Sequence, residues 1–229
     1  MRDNALNVRL YSCAELVRQD AVFADIGTDH AYLPIFLLKS GKIKKAYCSD
    51  VNPGPLAKAE QNVTECGLSD RVELILTDGA AALSDKGITD YAICGMGGEL
   101  ICRIISDAPH LKDPSVRLVL QPMTRQGDLR RYLAEEGFEI FAESYSREGS
   151  RGYVTFAASY TGRTRIIDET EAQICTKNAE IVNKDLQILY LKDKLKAYKK
   201  IISGKKNGEQ DYSSEEKIAL AIEKYLIGG

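Results

Sequence analysis

The sequence predicts an α/β protein with a mostly parallel sheet, because two features recur along its first 162 residues. Short apolar runs appear at regular intervals, and helix-like segments separate the first six of them. Near-continuous apolar strands that alternate with helices are typical of a parallel sheet covered on both faces. From residue 163 onward, apolar residues instead recur every seven positions. We therefore expect a sheet domain over residues 1–162 and a small helical, coiled-coil-like domain over residues 163–229.

The predicted strands and helices alternate through the first domain. We predict strands at residues 21–26, 45–50, 72–77, 90–95, 116–122, 138–144 and 152–159. We predict helices at residues 31–40, 55–66, 79–85, 98–107 and 124–136. The last two strands have only the turn SREGSRG between them, and a connection this short joins antiparallel neighbours. We therefore expect an antiparallel hairpin at one edge of the sheet.

The C-terminal domain is expected to contain two helices. Apolar residues spaced by seven predict one long helix over residues 168–202 with a coiled-coil stripe; they are Ile174, Ile181, Ile188, Leu195 and Ile202. The sequence SSEE at residues 213–216 has the form of a capping box and predicts the start of a second helix. Two antiparallel helices packed on each other are the simplest arrangement.

Composition favours a cytoplasmic protein without a metal. Of the 229 residues, 44% are apolar and 28% are charged, and we find neither a signal peptide nor a membrane span. We therefore expect a cytoplasmic protein that does not bind membranes. The six cysteines lack metal-binding spacing and the two histidines are far apart in sequence, so we expect no metal site. The oligomeric state stays open, with a monomer favoured.

Charge is unevenly distributed along the chain. The net charge is −2, whereas residues 163–229 carry 13 Lys and Arg against 11 Asp and Glu. Residues 192–206 alone hold seven lysines and one aspartate. This basic strip, which includes Lys196, Lys199 and Lys200, suits contacts to nucleic acid phosphates. It can equally be the solvated outer face of a coiled coil.

Carboxylates and glycines follow the predicted strands, at the edge where an open parallel sheet binds its ligands. They are Asp25 and Gly27 after the first strand, Ser49 and Asp50 after the second, Asp78 and Gly79 after the third, and Gly95 after the fourth. Because Asp25 and Asp29 flank the glycine turn, a pyrophosphate bound there would meet two carboxylates. S-adenosylmethionine has an ammonium and a sulfonium but no phosphate, and it suits this turn better. Asp50 would bind its ribose and Asp78 its adenine amino group.

Four motifs in this order resemble a class I S-adenosylmethionine-dependent methyltransferase: ADIGTDHAYLP, SDVNPGPLAKA, LTDGA and ICGMGGELI. More specifically, they are similar to the bacterial tRNA (adenine-N1)-methyltransferase family that modifies adenosine 22 in the D-arm, and the similarity extends over essentially the whole chain. The resemblance implies a Rossmann-like class I sheet with an antiparallel last strand, and C-terminal helices that help to bind tRNA. It also implies methyl transfer from S-adenosylmethionine to adenine N1, with S-adenosylhomocysteine as the product.

The resemblance also implies which residues line the cofactor and the target base. Asp25, Gly27, Asp50, Asp78 and Gly79 match the positions that line the cofactor, and Ser49, Val51 and Gly95 are expected to border it. Met96, Gly97 and Gly98 stand where many amino-methyltransferases have an Asn/Asp-Pro-Pro-aromatic block, which leaves room for a base to approach the backbone. Alternatively, these glycines only allow a helix to pack closely against its neighbours. Gln121 and Arg125 are expected to border the target pocket.

Methylation at adenine N1 needs no strong general base from the protein, because N1 has an available lone pair. Placement in line with the sulfur–methyl bond supplies most of the acceleration. Asp29 is the first candidate catalytic residue, since its carboxylate can act on the N6 amine or on the developing positive charge. His30 and Tyr32 are expected to orient the base, although His30 can also be a buried histidine that caps a carbonyl.

Two other functions stay open from the residues alone. An NAD-dependent oxidoreductase uses a similar sheet, but the missing GxGxxG motif and the carboxylates count against it. A non-catalytic RNA-binding module with a residual cofactor pocket is the third hypothesis. Binding of S-adenosylhomocysteine against NAD separates the first two functions, and a methyl-transfer assay on unmodified tRNA decides the third.

Overall fold

A computed structural model describes residues 6–228, which form an eight-stranded sheet with helices on both faces. The strands are β1 (Ala21–Ile26), β2 (Ile43–Asp50), β3 (Val72–Leu76), β4 (Asp90–Gly97), β5 (Arg117–Thr124), β6 (Phe138–Glu148), β7 (Arg151–Tyr160) and β8 (Glu180–Val182). The helices are α1 (Val8–Leu16), α2 (Tyr32–Lys39), α3 (Pro53–Glu65), α4 (Gly98–Ser106), α5 (Gln126–Glu135), α6 (Glu169–Gln173), α7 (Lys184–Asn207) and α8 (Ser213–Gly228).

The strands lie in the order β3-β2-β1-β4-β5-β7-β6-β8. Strands β1 to β5 run parallel, β7 is antiparallel to β5 and β6, and β8 is parallel to β6. The strand order reverses at β1, which has β2 on one side and β4 on the other. In such a sheet, a crevice opens beyond the carboxyl ends of the strands at the reversal. The predicted antiparallel hairpin is confirmed, but β8 lies outside it at the edge of the sheet.

Both faces of the sheet are buried, which explains the nearly continuous apolar runs. Along β1, Phe23 faces one apolar core, whereas Ala24 and Ile26 face the other. The helices α1, α2 and α3 cover the Phe23 face. The helices α4 and α5 cover the opposite face. The strand ends are thereby held in place from both sides.

The predicted helix over residues 168–202 is wrong. This segment forms the short α6, then β8, and only then α7. A buried ion pair explains the break: Arg130 and Glu143 lie 2.9 Å apart, and both also bind this segment. Arg130 donates to the Ala172 carbonyl at 2.9 Å, and Glu143 accepts from the Thr176 amide at 2.9 Å. Because a buried ion pair needs its remaining hydrogen-bonding groups satisfied, these contacts hold the segment against the sheet.

Two smaller departures concern local elements. Residues 79–85 contain only a 3₁₀ turn at Ala81–Leu83, and α1 is a helix that the sequence analysis did not predict. The two C-terminal helices pack on each other as expected, through Leu191 of α7 and Ile222 of α8 among others. The division into domains at residue 162 stays a prediction, and β8 from the second range lies in the main sheet. No helix within residues 6–228 is long and apolar enough to cross a lipid bilayer.

Candidate active site

Two cavities lie side by side at the carboxyl ends of β1, β2 and β4. The β2–β3 cavity, of about 200 Å³, is lined by residues at or just after the ends of these two strands, including Asp50 and Asp78. The β1–α1 cavity, of about 360 Å³, includes Asp25 and Arg9. Gly27 and Met96 line both. Gly27 has φ +74°, a left-handed conformation that favours glycine, and a Cβ there would also displace the Met96 Cε atom.

The β2–β3 cavity offers two carboxylates on a lining of mixed polar and apolar residues. One oxygen of Asp50 accepts the Asn52 amide at 2.8 Å, which fixes the carboxylate at the end of β2. Asp78 is exposed and accepts a hydrogen bond from Arg103 at 3.3 Å. Val51 and Leu100 also line this cavity and are exposed. Of the predicted cofactor residues, Ser49, Asp50, Val51, Asp78 and Gly79 all lie here.

Asp25 is a buried carboxylate in the β1–α1 cavity. Burial raises the pKa of Asp25 to about 6, while the Thr28 hydrogen bond and the charge of Arg9 limit the rise. The Thr28 hydroxyl donates to its Oδ2 atom at 2.6 Å. The amides of Gly27 and Thr28 both donate to the Ser49 carbonyl, at 2.8 and 2.9 Å, which ties this turn to β2. A cation bound beside Asp25 would favour its ionised form.

Arg9 is a site residue that the sequence analysis missed. Its Nη1 atom donates to the Gln121 Oε1 atom at 2.6 Å, and the same oxygen accepts the Gly95 amide at 3.1 Å. Gln121 is fully buried and lies behind Arg9 and Gly95, and its place at the border of the target pocket stays a prediction. Asn7 is the N-cap residue of α1, and its residue type could have predicted the start of this helix. Nothing in the sequence, however, links Arg9 to β5.

The predicted catalytic residues lie together at the mouth of the β1–α1 cavity. The Asp29 carboxylate is exposed, and its Oδ2 atom lies 3.2 Å from the Nε2 atom of His30. The His30 and Tyr32 rings stack, with centroids 5.0 Å apart and an angle of 16° between their planes. Ala31 between them has φ +56°, which turns the chain from the strand end into α2. The arrangement presents a carboxylate beside a flat aromatic surface.

Together the two cavities can hold an elongated ligand that has a nucleoside at one end and a zwitterion at the other. Asp50 and Asp78 can accept from hydroxyl and amino groups. Arg9 can bind a carboxylate, and Asp25 can attract a cation. Among residues 6–228, no group of three or more histidine, cysteine, aspartate or glutamate side chains is placed to hold a metal ion.

Known proteins are similar to this chain in sequence. Residues 6–156 match the family model of a methyltransferase domain. A curated Bacillus subtilis protein, tRNA (adenine(22)-N(1))-methyltransferase, is 30% identical over 168 residues, which cover 73% of this chain and 71% of the relative. The chain belongs to the tRNA (adenine(22)-N1)-methyltransferase family.

Solved structures of similar proteins extend over nearly the whole chain. M. capricolum TrmK, in complex with S-adenosylhomocysteine, is 29% identical and covers 96% of this chain and 97% of its own, with a TM-score of 0.78. Streptococcus pneumoniae Sp1610, a proposed tRNA (m1A22) methyltransferase in complex with S-adenosyl-L-methionine, is 30% identical and covers 95% and 98%, with a TM-score of 0.81. The predicted family and fold class are confirmed.

In this member of the tRNA (adenine(22)-N1)-methyltransferase family, the two glycines at the junction of β4 and α4 differ in how closely other atoms approach them. A Cβ at Gly98 would lie 2.6 Å from the Arg125 carbonyl oxygen, and one at Gly97 would lie 3.3 Å from the Thr124 hydroxyl. Gly98 therefore permits α4 to pack closely on the end of β5, which is the alternative role that the sequence analysis gave to these glycines. Arg125 is exposed and pairs with Glu99 at 3.4 Å, on the same rim.

The basic strip on α7 is narrower than the sequence suggests. Lys196, Lys199 and Lys200 are exposed, but Lys199 pairs with Glu223 of α8 at 2.6 Å. Lys194 is largely buried, donates to the Gln173 carbonyl at 2.5 Å, and has its pKa lowered to about 7 by burial. Lys205 also pairs with α8, through Glu215. The lysines of the strip that best suit phosphate contacts are therefore the exposed Lys192, Lys196, Lys200 and Lys206.

Proposed function

We propose that this chain transfers a methyl group from S-adenosylmethionine to N1 of adenosine 22 in tRNA, giving N1-methyladenosine and S-adenosylhomocysteine. Family membership supports the activity. The observation that carries the proposal is the placement of Asp25, Asp50 and Asp78 around two cavities that meet at Gly27. This negative lining suits a positively charged donor and disfavours the pyrophosphate of NAD.

The β2–β3 cavity would hold the nucleoside of the donor. Asp50 would accept from the two ribose hydroxyls. Asp78 would accept from the adenine amino group, in competition with its present partner Arg103. Val51 and Leu100, which are both exposed, would cover the adenine with apolar surface.

The β1–α1 cavity would hold the amino-acid portion. Arg9 would bind the carboxylate, which is the only anionic group of S-adenosylmethionine. Asp25 would attract the ammonium, and that positive charge would favour the ionised form of a carboxyl whose pKa is about 6. The donor supplies an electrophilic methyl group on its sulfonium, which would lie near Gly27 and Met96, where the cavities meet.

Asp29, His30 and Tyr32 would position the target adenine. Tyr32 and His30 present stacked rings at the cavity mouth, and a base can lie on such a surface. Asp29 would accept from the N6 amine and stabilise the positive charge that develops when N1 is methylated. Since N1 lies on the pairing edge, the adenosine must leave its stack, and binding of the tRNA body must offset a cost of a few kcal/mol. Lys196 and Lys200 are candidates for that binding.

The direct test is methylation of unmodified tRNA with isotope-labelled S-adenosylmethionine, followed by mapping of the modified nucleotide by mass spectrometry. We expect one methyl group at N1 of adenosine 22. Calorimetry with S-adenosylhomocysteine and NAD tests the cofactor separately. Tight NAD binding without S-adenosylhomocysteine binding would refute the proposal, and S-adenosylhomocysteine binding without methylation would favour a non-catalytic RNA-binding module. The cytoplasmic location and the monomeric state stay predictions.

A further inference from the structure

Aromatic rings continue from the β1–α1 cavity to the protein surface. The stacked pair of His30 and Tyr32 lies at the cavity mouth. Phe36 follows one turn after Tyr32 on the same side of α2. Its ring meets the ring of Tyr11 from α1 edge-on, with centroids 5.9 Å apart and an angle of 70°. We call these four residues, His30, Tyr32, Phe36 and Tyr11, the aromatic track.

The outer part of the aromatic track is exposed although it is apolar. Tyr11 is 49% exposed, Tyr32 is 45% exposed, and Val8, one turn before Tyr11 on α1, is 47% exposed. This surface is continuous with the cavity, because Asn7 and Arg9 of the same α1 segment line that cavity. An exposed apolar patch next to a binding cavity marks an interaction surface.

The helix that carries Tyr11 is firmly attached. The Asn7 side chain caps α1 by accepting the Leu10 amide at 2.8 Å. On the buried side, the hydroxyls of Ser12 and Thr155 lie 3.0 Å apart in a hydrogen bond. Arg9 adds the 2.6 Å bond to Gln121. Tyr11 is therefore presented from a rigid element, and a rigid platform loses little conformational entropy when it binds a ligand.

We propose that the aromatic track binds the nucleosides that flank the target adenosine in tRNA, through stacking on Tyr11. The proposal rests on the proposed function, because these nucleosides belong to the same substrate. When the adenosine leaves its stack, a face of each neighbouring base loses its partner. A protein ring can replace that partner, and base–aromatic stacking accepts any of the four bases. The track thus binds the sequence around the target without reading it.

The charges beside the track favour stacking over phosphate binding. Glu15 follows Tyr11 by one turn on α1, and Lys39 follows Phe36 on α2, and both are exposed. One charge of each sign gives little net attraction for a phosphate. The contribution of Tyr11 to tRNA affinity is therefore expected to vary little with salt, unlike contacts from a lysine strip.

The test uses the full-length protein with Tyr11→Ala, Tyr11→Phe and a control, Ile166→Ala, whose side chain is 92% exposed and lies outside the track. We expect Tyr11→Ala to raise the KM for tRNA roughly tenfold, as loss of one stacked ring does. Its kcat and its KM for S-adenosylmethionine should be nearly unchanged. Tyr11→Phe keeps the ring and should behave like the wild type. The ratio of the KM for tRNA in Tyr11→Ala to that in the wild type should stay the same from low to high salt.

Fluorescence reports the stacking directly. In tRNA with 2-aminopurine at either nucleoside beside the target, the wild type and Tyr11→Phe should quench the probe more than Tyr11→Ala does. If Tyr11→Ala and the wild type had the same KM for tRNA and the same quenching, the stacking proposal would be overturned. Methylation of the same tRNA by the wild type would show that the proposed function itself still holds. A change of oligomeric state in Tyr11→Ala, measured by light scattering, would instead assign this face to a second copy of the chain. Absence of wild-type methylation would refute the proposed function itself.

Discussion

Replacing Gln121 with leucine tests whether Arg9 is held in place to bind the donor carboxylate. The substitution removes the oxygen that accepts from Arg9 at 2.6 Å and from the Gly95 amide at 3.1 Å. A hydrogen bond to a charged group contributes about 1.5–3 kcal/mol, and a buried donor without an acceptor costs about 1–3 kcal/mol. We therefore expect the free energy of unfolding to fall by about 2 kcal/mol. Affinity for S-adenosylhomocysteine should fall about tenfold or more, since 1.4 kcal/mol is a factor of ten.

Calorimetry with two ligands separates a positioning role from a general loss of structure. Methylthioadenosine has the nucleoside of the product but lacks its amino-acid portion, so its affinity should be nearly the same in wild type and Gln121→Leu. Gln121→Glu keeps an acceptor for both donors and adds a negative charge beside Arg9. It should lose affinity for S-adenosylhomocysteine, because two carboxylates then compete for Arg9, and it should also lose some stability, because the Nε2 donor to the Pro122 carbonyl is gone. Equal losses for both ligands in Gln121→Leu would refute the role assigned to Gln121.

Three further predictions concern the cavities and the glycine after β4. Asp50→Ala should weaken S-adenosylhomocysteine binding at least tenfold by calorimetry and leave tRNA affinity in a gel-shift assay unchanged; weakened tRNA binding would contradict the separation of the two sites. Because burial raises the pKa of Asp25 to about 6, the ionised form that attracts the ammonium is lost below that pH, and affinity should fall about tenfold from pH 7 to pH 5 in the wild type but not in Asp25→Asn. Gly98→Ala should lower the free energy of unfolding by about 1–3 kcal/mol in urea titrations, because its Cβ meets backbone oxygen atoms, whereas Gly204→Ala, in open space on α7, should be neutral or stabilising.

The pKa of Asp25 also has a consequence for stability. A carboxyl whose pKa is higher in the folded state than in the unfolded state stabilises the fold fully only below the unfolded value, here 3.8, and this contribution is lost as the pH rises through about 6. The unliganded protein therefore keeps an unfavourable buried charge at neutral pH. A bound cation beside Asp25 would remove that penalty, which links donor binding to thermal stabilisation.

Much of the site could be predicted because it follows from the order of the strands. Asp25, Asp50 and Asp78 each lie within two residues of the end of a parallel strand, and the carboxyl ends of parallel neighbours lie at one edge of the sheet. The sequence pattern places these residues together without knowledge of any long-range side-chain contact. The same reasoning could not place Gln121, because whether a residue at a strand end faces a cavity or the core depends on the helix that covers it, here α1.

By itself, the sequence determined the alternation of strands and helices, the glycine turn at Gly27 and the carboxylates around it, since each depends on neighbours close along the chain. The tertiary structure alone decided the position of Arg9 beside Gln121 and the break of the C-terminal helix. The apolar spacing from Ile174 onward favours a continuous helix, yet the buried pair of Arg130 and Glu143 needs backbone partners and takes them from residues 172 and 176. Satisfying a buried charge outweighs a local periodic preference, and no pattern along the chain shows which charges will be buried.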